Sequence, residues 1–425
     1  MTSLQHTAAQ PRPSFLSRLW NDPAVRFSLF IFVVIRVLTA ITAYATTTAV
    51  PRPYPVFADG VIEVRTQTFI VQGALRAWFD PWYRYDTGWY ISIAYQGYQA
   101  VPASIIFAPL YPLLLRLTSV LTGGDYLVAG ILVSNVACVL MLILFYKLVA
   151  REFDNKLAEL TLILYASFPT AFYLVAAYTE STFMVFALGA WLATLNKRYW
   201  LAGLLAFLAS LTRSQAWVLA LPFAYIILER MGEAHGGFWQ GIRYYVMHPI
   251  EALRIGLPQS PAVIGGPLGA AVYFLGMVVA GLGHVEEAFL NPPWDVRLQA
   301  PWESLFSAAR VLLDGTAKLH DIASIAVFVF IVVMGILALR YLKPPYWLLV
   351  FPTLLFIMLR GHDTFQFHGI LRYVLYMVPA FMMLALLLRN QNKVGIRLAT
   401  SAWVIIGILL QLALVSAFSL WGWVS

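Results

Sequence analysis

Residues 126–150, YLVAGILVSNVACVLMLILFYKLVA, indicate the class of fold to which this chain belongs. Lys147 is the only charged residue in this run. About 20 apolar residues are enough for a helix to cross a hydrocarbon core about 30 Å thick. The run is therefore predicted to be a transmembrane helix, and the apolar stretches 27–49 and 396–421 lead to the same prediction.

The composition extends this prediction to the whole chain of 425 residues. Hydrophobic residues make up 61% of the sequence and charged residues 11%, whereas about 25% of the residues in soluble domains are charged. We therefore expect an all-α, polytopic membrane protein. The net charge of +8 comes without the basic runs or motifs that indicate a nucleic-acid partner. The single cysteine, Cys138, excludes intramolecular disulfides and cysteine metal clusters.

Apolar runs and the charged residues between them predict about eleven spans. Residues 1–26 are interpreted as a cytoplasmic N-terminal segment and residues 27–425 as a single transmembrane domain. No small-residue cleavage site follows the first apolar run, so we expect a retained span and not a removed signal. The approximate predicted spans are 27–49, 126–149, 157–173, 179–195, 199–212, 215–229, 264–282, 321–340, 345–359, 372–389 and 398–421.

The distribution of charge orients these spans. If the short segment Pro109–Leu121 stays outside the bilayer core, most Lys and Arg residues fall on one side and most acidic residues on the other. The positive-inside rule then predicts a cytoplasmic N-terminus and an outer C-terminus. The two largest outer loops are residues 50–125 and 283–320. The first is rich in Trp and Tyr, and Thr87–Tyr98 is predicted to be a short helix lying in the membrane interface.

This topology brings ionisable residues from four separate parts of the chain to the outer face. Asp86 begins the interfacial helix, whereas Glu180 and Arg213 lie at two outer turns. A fourth turn, between the ninth and tenth spans, contains Arg360, His362, Asp363, His368 and Arg372. Ionisable groups at membrane depth are costly and tend to be functional.

Several of these residues also have a purely structural interpretation. Asp86 could cap its helix, and Glu180 and Arg213 could form an ion pair. Arg372 could extend its charged end to the lipid headgroups.

The histidines of the fourth turn have two further interpretations. His362 and His368 could be ordinary interfacial side chains. Together with Asp363 they could instead bind a metal ion, although their spacing is not diagnostic.

The chemistry that best fits this set of residues is glycosyl transfer from a lipid-phosphate sugar. One carboxylate would take the proton from the acceptor hydroxyl. Arginine or histidine would hold the phosphate as it leaves with developing charge. The sequence contains no GxGxxG motif and no P-loop.

The motifs at these positions resemble the PIG-V-like mannosyltransferases of the GT-C superfamily. The first block is residues 82–90, WYRYDTGWY, followed by 93–98, IAYQGY, and 107–112, FAPLYP. Further blocks follow in family order: 168–171, FPTA; 178–181, YTES; 211–214, LTRS; and 372–373, RY, with Pro379 shortly after. The resemblance covers roughly residues 25–390. The chain departs from the family pattern at Tyr85, where the family favours tryptophan, and at Ala108, where it favours phenylalanine.

The resemblance implies an inverting mannosyltransferase that uses a polyprenyl-phosphate donor. Asp86 matches the catalytic acidic residue of the family and is the predicted general base. Four residues are predicted to hold the donor phosphate: Arg372, Arg213, His362 and His368. Five are predicted to bind or orient substrate: Glu180, Trp89, Tyr85, Tyr111 and Tyr373.

The expected partners are a polyprenyl-phosphate sugar donor, a lipid or glycan acceptor and membrane lipids. The scheme requires no cofactor, and dependence on a divalent metal is left open. Two alternatives remain, a lipid or sugar transporter or flippase and a non-catalytic subunit of a membrane glycosylation complex. The compact loops favour a prokaryotic plasma membrane.

Overall fold

The computed structural model describes Ser17 and residues 20–50, 73–362 and 366–422, and in this part of the chain α-helices predominate. The helices, numbered in chain order, are α1 (Pro23–Ala49), α2 (Asp86–Gln96), α3 (Leu110–Ser119), α4 (Tyr126–Glu152), α5 (Asn155–Ala166), α6 (Glu180–Leu195), α7 (Tyr199–Thr212), α8 (Ala220–Glu233), α9 (Phe238–Met247), α10 (Pro249–Gly256), α11 (Ser260–Val279), α12 (Val285–Leu290), α13 (Pro301–Leu313), α14 (Leu319–Tyr341), α15 (Pro344–Met358), α16 (Ile370–Tyr373), α17 (Val378–Leu387) and α18 (Val394–Ser419). Short 3₁₀-helices occupy Gly73–Trp78, Asp80–Trp82, Tyr98–Ala100, Pro102–Ile106, Ala171–Leu174, Ser214–Leu219, Leu257–Gln259 and Val374–Tyr376.

Each predicted span overlaps helical residues, which confirms the all-α expectation. In the described part of the chain, five helical segments are long and apolar enough to cross a membrane: α1, α4, the run Pro249–Val279, α14 and α18. Residues 370–387 form a further apolar segment that is bent by 72° between its two halves. Helices α6, α7 and α15 are shorter and apolar. The chain is a multi-pass membrane protein.

Aspartate residues start three of these helices by accepting backbone N–H groups that have no partner within the helix. The Asp22 carboxylate accepts from Ala24 at the start of α1, where Pro23 is the first helical residue. At the start of α4, Oδ1 of Asp125 accepts from two backbone N–H groups at 3.0 and 3.1 Å. At the start of α5, Oδ1 of Asp154 accepts from one backbone N–H group at 2.8 Å. These caps fix where the apolar helices begin.

An irregular segment, residues 167–178, runs through the centre of the bundle between α5 and α6 and is almost completely buried. Irregular backbone is tolerated at such depth only when its polar groups find partners inside the protein. Gln411 of α18 donates to the carbonyls of Ala166 and Phe168 at the start of this segment. Ser134 of α4 donates to the carbonyl of Tyr178 at its end. Glu180 therefore follows a segment that surrounding helices hold in place.

Glycine allows α7 and α11 to pack backbone against backbone. A Cβ added at Gly203 would collide with the carbonyl of Pro261, and one at Gly265 would collide with the backbone of Gly203. Small residues at such contacts are typical of helix packing in membranes, where close approach maximises van der Waals attraction. This contact holds α7, and α7 ends at Thr212, directly before Arg213.

The helix predicted over Thr87–Tyr98 is α2, which begins at Asp86 and ends at Gln96. Its position differs from a helix lying on a membrane surface, because every residue from Thr87 to Ala94 is buried. Neighbouring aromatic residues pack against it, including Phe107, whose ring centroid lies 5.0 Å from that of Tyr90.

The 283–320 loop is attached to the turn that follows α15. Strands β1 (Arg297–Leu298) and β2 (Arg360–Gly361) pair antiparallel, with Leu298 opposite Arg360. The backbone N–H of Gln299 extends the pairing by donating to the Leu359 carbonyl at 3.0 Å. Most of the predicted N-terminal segment, residues 51–72 of the first loop, and Asp363 lie outside the described residues.

Candidate active site

The guanidinium of Arg372 joins two carboxylates that are far apart in the sequence. Its Nη1 lies 2.5 Å from Oδ2 of Asp86, and its Nε lies 2.6 Å from Oε1 of Glu180. Glu180 is fully buried, whereas the Asp86 side chain keeps 15% of its surface exposed. Oδ1 of Asp86 accepts no hydrogen bond from the described residues, so one carboxylate oxygen remains available.

Glu180 also binds a second guanidinium. Nη1 of Arg213 lies 3.0 Å from Oε1 of Glu180 and 2.9 Å from Oγ1 of Thr179. The two carboxylates and two guanidiniums form an ionic cluster of zero net charge. Glu180 is the first residue of α6, where the positive end of the helix dipole favours a carboxylate.

Aromatic rings surround both guanidiniums of this cluster. The Cζ atom of Arg372 lies 4.7 Å from the ring centroid of Tyr178 and 5.2 Å from that of Tyr173. The Cζ atom of Arg213 lies 4.9 Å from the ring centroid of Tyr376 and 5.3 Å from that of Tyr373. Cation–π attraction at these distances stabilises the guanidiniums and fixes their planes.

The backbone turn that carries Asp86 is strained and externally braced. Tyr85 adopts a φ of 49° and a ψ of −116°, a conformation that non-glycine residues rarely adopt. Arg84 donates two hydrogen bonds to the Ser419 carbonyl at the end of α18, at 3.0 and 2.6 Å. The Tyr178 hydroxyl donates to the Arg84 carbonyl at 3.2 Å. The end of α18 therefore holds the turn that directs Asp86.

Asp86 and Arg372 face a cavity of about 1090 Å³. Its wall includes the aromatic residues Trp89 and Trp294, whose ring centroids are 5.2 Å apart. A cavity of this volume, lined by aromatic residues with a few convergent polar groups, is typical of an organic-ligand site.

Two histidines and two further arginines, Arg297 and Arg360, line the same cavity. The rings of His362 and His368 are stacked 5.0 Å apart. Nη1 of Arg360 lies 2.5 Å from the Tyr373 hydroxyl. Burial and the nearby charge of Arg360 hold the pKa of the His368 imidazole well below its ordinary value of 6.5. His368 is therefore neutral at physiological pH.

The structure thus brings together Asp86, Glu180, Arg213 and Arg372, and it excludes two structural interpretations. Asp86 is the first residue of α2 and not its cap, since Tyr85 occupies the cap position without a side-chain bond. Arg372 binds buried carboxylates and does not extend to lipid headgroups. The ion pair expected between Glu180 and Arg213 is present.

Eight of the ten predicted site residues line the cavity: Tyr85, Asp86, Trp89, Arg213, His362, His368, Arg372 and Tyr373. The other two do not. Tyr111 is completely buried, and its hydroxyl lies 2.7 Å from Oγ of Ser134, so its predicted contact with substrate is replaced by a structural role. Glu180 is enclosed beneath Arg372, which is compatible with orienting the arginines and not with binding sugar hydroxyls.

Within the described residues, no group of three or more His, Cys, Asp or Glu side chains could hold a metal ion. The metal site considered above includes Asp363, which lies outside them.

Two residues of this site had no role in the sequence-based prediction. Arg360 was recognised only as one charge of a charged turn, and its aromatic neighbour Phe289 comes from a distant loop. Arg84 lies two residues before Asp86, and it donates to a backbone carbonyl of α18. Every residue has a backbone carbonyl, so the sequence gives no indication of this partner.

No model of a known protein family matches the chain. A stretch of 135 residues is 32% identical to a protein named GPI mannosyltransferase 2 from Cryptococcus neoformans var. neoformans serotype D, and two strains give the same match. The match covers 29% of this chain and 31% of the fungal protein, so it spans about a third of that relative's length. This similarity agrees at the family level with the resemblance to PIG-V-like proteins.

Among solved structures, the chain is similar to the oligosaccharyltransferase of Archaeoglobus fulgidus. The structure of its complex with Zn and sulfate matches with a TM-score of 0.45 and 15% identity, over 92% of this chain and 53% of that protein. The apo form matches with a TM-score of 0.43 and 14% identity, over 96% of this chain and 57% of that protein. The chain therefore spans about half the length of these structures.

Proposed function

We propose that this protein is an inverting glycosyltransferase of the GT-C type that moves a sugar, mannose by family resemblance, from a polyprenyl-phosphate donor to an acceptor hydroxyl. The observation that carries the proposal is the cluster in which Arg372 joins the partly exposed Asp86 to the buried Glu180 at the base of a large cavity. The local similarity to a GPI mannosyltransferase supports the same class of reaction.

Asp86 is the proposed general base. Its Oδ2 is held by Arg372, and Oδ1 faces no donor from the described residues, so this oxygen can take the proton of the acceptor hydroxyl. The hydroxyl oxygen then bonds to the anomeric carbon as the bond from that carbon to the phosphate oxygen breaks. The phosphate leaves with the bonding electrons. Attack from the face opposite the leaving group inverts the anomeric carbon.

The roles proposed for Arg372 and Arg213 differ from the binding of the donor phosphate that was expected from the sequence. Their charges are already balanced by Asp86 and Glu180, so binding a phosphate there would compete with three ion pairs. We propose that Arg372 mainly fixes the direction of the Asp86 carboxylate. Glu180 and Arg213 support Arg372 from below.

The aromatic wall supplies the proposed surface for sugar and lipid. Trp89 and Trp294 line the cavity, and aromatic rings suit the apolar face of a sugar ring or a prenyl chain. We propose the non-cytoplasmic side of the membrane for this cavity, because the positive-inside rule places the Asp86 turn there. The assignment to a prokaryotic plasma membrane remains a prediction.

The test is a transfer assay with the purified chain in proteoliposomes. Labelled polyprenyl-phosphate mannose is supplied as donor, with a panel of glycolipid and glycan acceptors, and the anomeric configuration of the product is determined. Transfer with inversion supports the proposal. Movement of the donor lipid between leaflets without any transfer would favour a flippase instead.

A further inference from the structure

Arg360 has no counter-ion among the described residues, although it lines the cavity that contains Asp86. Its guanidinium lies 5.2 Å from the ring centroid of Phe289, 5.6 Å from Phe356 and 5.8 Å from Tyr373. Its hydrogen-bond partner in the described structure is the Tyr373 hydroxyl. This aromatic environment holds a partly buried positive charge that pairs with no carboxylate of residues 73–362 or 366–422.

The charge balance of the cavity separates Arg360 from the other arginines. Arg213 and Arg372 share their charge with Glu180 and Asp86. The other acid among the described lining residues is Glu286, which is 70% exposed and lies 3.4 Å from His284. Arg297 also lines the cavity, but it lies on the exposed strand β1. Arg360 is therefore the partly buried arginine of this lining that pairs with no carboxylate of the described residues.

The neighbours of Arg360 favour an anion over a neutral ligand. His362 and His368 line the same wall, and a neutral imidazole can donate one hydrogen bond to a phosphate oxygen. A planar guanidinium offers parallel N–H groups that match the oxygens of a phosphate. The aromatic rings partly bury the guanidinium, and a charge that is less exposed to water attracts an anion more strongly.

The backbone of Arg360 is also fixed. Its pairing with Leu298 in the β1–β2 ladder connects it to the 283–320 loop, and Phe289 comes from helix α12 of that loop. The side chain is thus presented from a strand that two parts of the chain hold together, which lowers the entropy lost on binding.

We propose that Arg360 binds the phosphate of a lipid-linked substrate, so that the anion site lies beside the Asp86–Arg372–Glu180–Arg213 cluster and not within it. This inference rests on the proposed function for the identity of the phosphate-bearing lipid. The phosphate belongs either to the donor or to a phosphate-bearing acceptor lipid, and separate KM measurements for the two substrates distinguish these sources.

The first experiment measures binding without catalysis. Farnesyl phosphate and neutral farnesol are titrated into the full-length protein in nanodiscs, and dissociation constants are measured by calorimetry. We expect the phosphate to bind more tightly than farnesol, with an affinity that falls as salt increases. Arg360→Gln should weaken farnesyl phosphate binding about tenfold or more and leave farnesol binding unchanged.

Matched variants separate the site from general effects. Arg116→Gln removes an exposed arginine that does not line the cavity and should leave both affinities unchanged. Arg360→Lys keeps the positive charge and loses the paired N–H groups of the guanidinium, so we expect an intermediate affinity for farnesyl phosphate. If Arg360→Gln does not fold, Arg360→Lys provides the test of farnesyl phosphate binding. Asp86→Asn should bind farnesyl phosphate at least as tightly as the wild type.

The second experiment identifies the source of the phosphate by measuring the KM for donor and acceptor separately in the transfer assay. A rise confined to the donor KM in Arg360→Lys assigns the site to the donor, and a rise confined to the acceptor assigns it to the acceptor. Equal farnesyl phosphate affinity in the wild type and both Arg360 variants would overturn the inference. A protein that binds farnesyl phosphate through Arg360 and transfers no sugar would retain the site and lose the proposed function.

Discussion

Arg372 and Asp86 are separated by 286 positions in the sequence, yet Nη1 of one lies 2.5 Å from Oδ2 of the other. The pair closes the base of the cavity, and the second carboxylate on Arg372, Glu180, is fully buried. One carboxylate thus faces the ligand space while the other anchors the arginine from below. This asymmetry distinguishes the residue proposed to react from the residue proposed to support it.

Replacing Asp86 by asparagine should remove the proton acceptor while nearly preserving side-chain shape. General-base catalysis contributes about 10²- to 10⁴-fold, so we expect transfer to fall by at least about 10²-fold. The rate is measured with labelled donor in proteoliposomes. The matched control is Asp295→Asn, because Asp295 is exposed, lies outside the cavity wall, and has a φ of 46° that asparagine also adopts. Wild-type activity in Asp86→Asn would remove the assignment of the base.

Replacing Glu180 by glutamine should destabilise the fold, because it leaves two buried guanidiniums with one carboxylate. Breaking a buried ion pair by removing one partner costs about 3–5 kcal/mol. We expect a large fall in Tm, measured by a thermal scan of the purified protein. In the double variant Glu180→Gln/Arg213→Gln the cluster is again neutral, so part of the lost Tm should return. A double variant that is as unstable as the sum of its single variants would mean that the two charges are not coupled.

Arg84 is predicted to be a positioning residue for Asp86. Arg84→Gln loses the paired hydrogen bonds to the Ser419 carbonyl and allows the strained Tyr85 turn to relax. Because small displacements of a catalytic group are costly, we expect kcat to fall between about tenfold and a hundredfold. The KM values should change little, and Arg84→Lys should recover part of kcat. An unchanged kcat, or a loss confined to the KM values, would remove the positioning role.

The stability of the protein should depend on pH through His368. In the unfolded chain its imidazole takes up a proton near pH 6.5, whereas in the folded protein its pKa is held well below that value by burial and by Arg360, His362, Arg372 and His320. Below about pH 6.5 the unfolded state therefore binds more protons, so folding stability falls as the pH falls. The Tm of the wild type should drop more between about pH 7.5 and pH 5.5 than that of His368→Gln.

The control for this pH effect is His284→Gln, because His284 is about half exposed. This variant should show the same acid-induced drop in Tm as the wild type. If His368→Gln also shows that drop, another group is responsible for it.

The helical architecture could be predicted from sequence because apolar runs and aspartate caps are local signals. The helices begin close to the predicted positions at Tyr126, Glu180 and Tyr199. The burial of Thr87–Ala94 in α2 could not be predicted, because it depends on residues distant in the sequence, such as Phe107, that pack against the helix. The sharp bend between α16 and α17 also escaped prediction, since residues 373–388 contain no charged residue and are interpreted as part of one span.

The core of the candidate site could also be expected, because charged residues at membrane depth are rare and four turns carried them. Which charges pair with one another could not be predicted. Glu180 binds both Arg213 and Arg372, and this leaves Arg360 without a carboxylate among the described residues. Tyr111 belongs to a recognisable motif, yet its hydroxyl contacts Oγ of Ser134. This contact could not be predicted, because a single sequence does not show how α3 is aligned against α4.

The two-residue ladder that pairs Leu298 with Arg360 has a consequence for engineering the preference of the cavity for its ligands. Because the 283–320 loop and the turn after α15 share backbone hydrogen bonds, a chimera that grafts only one of them from a homologue would sever the ladder. Both segments would have to be exchanged as a single cassette. Natural variants with altered preference are expected to diverge in both segments together.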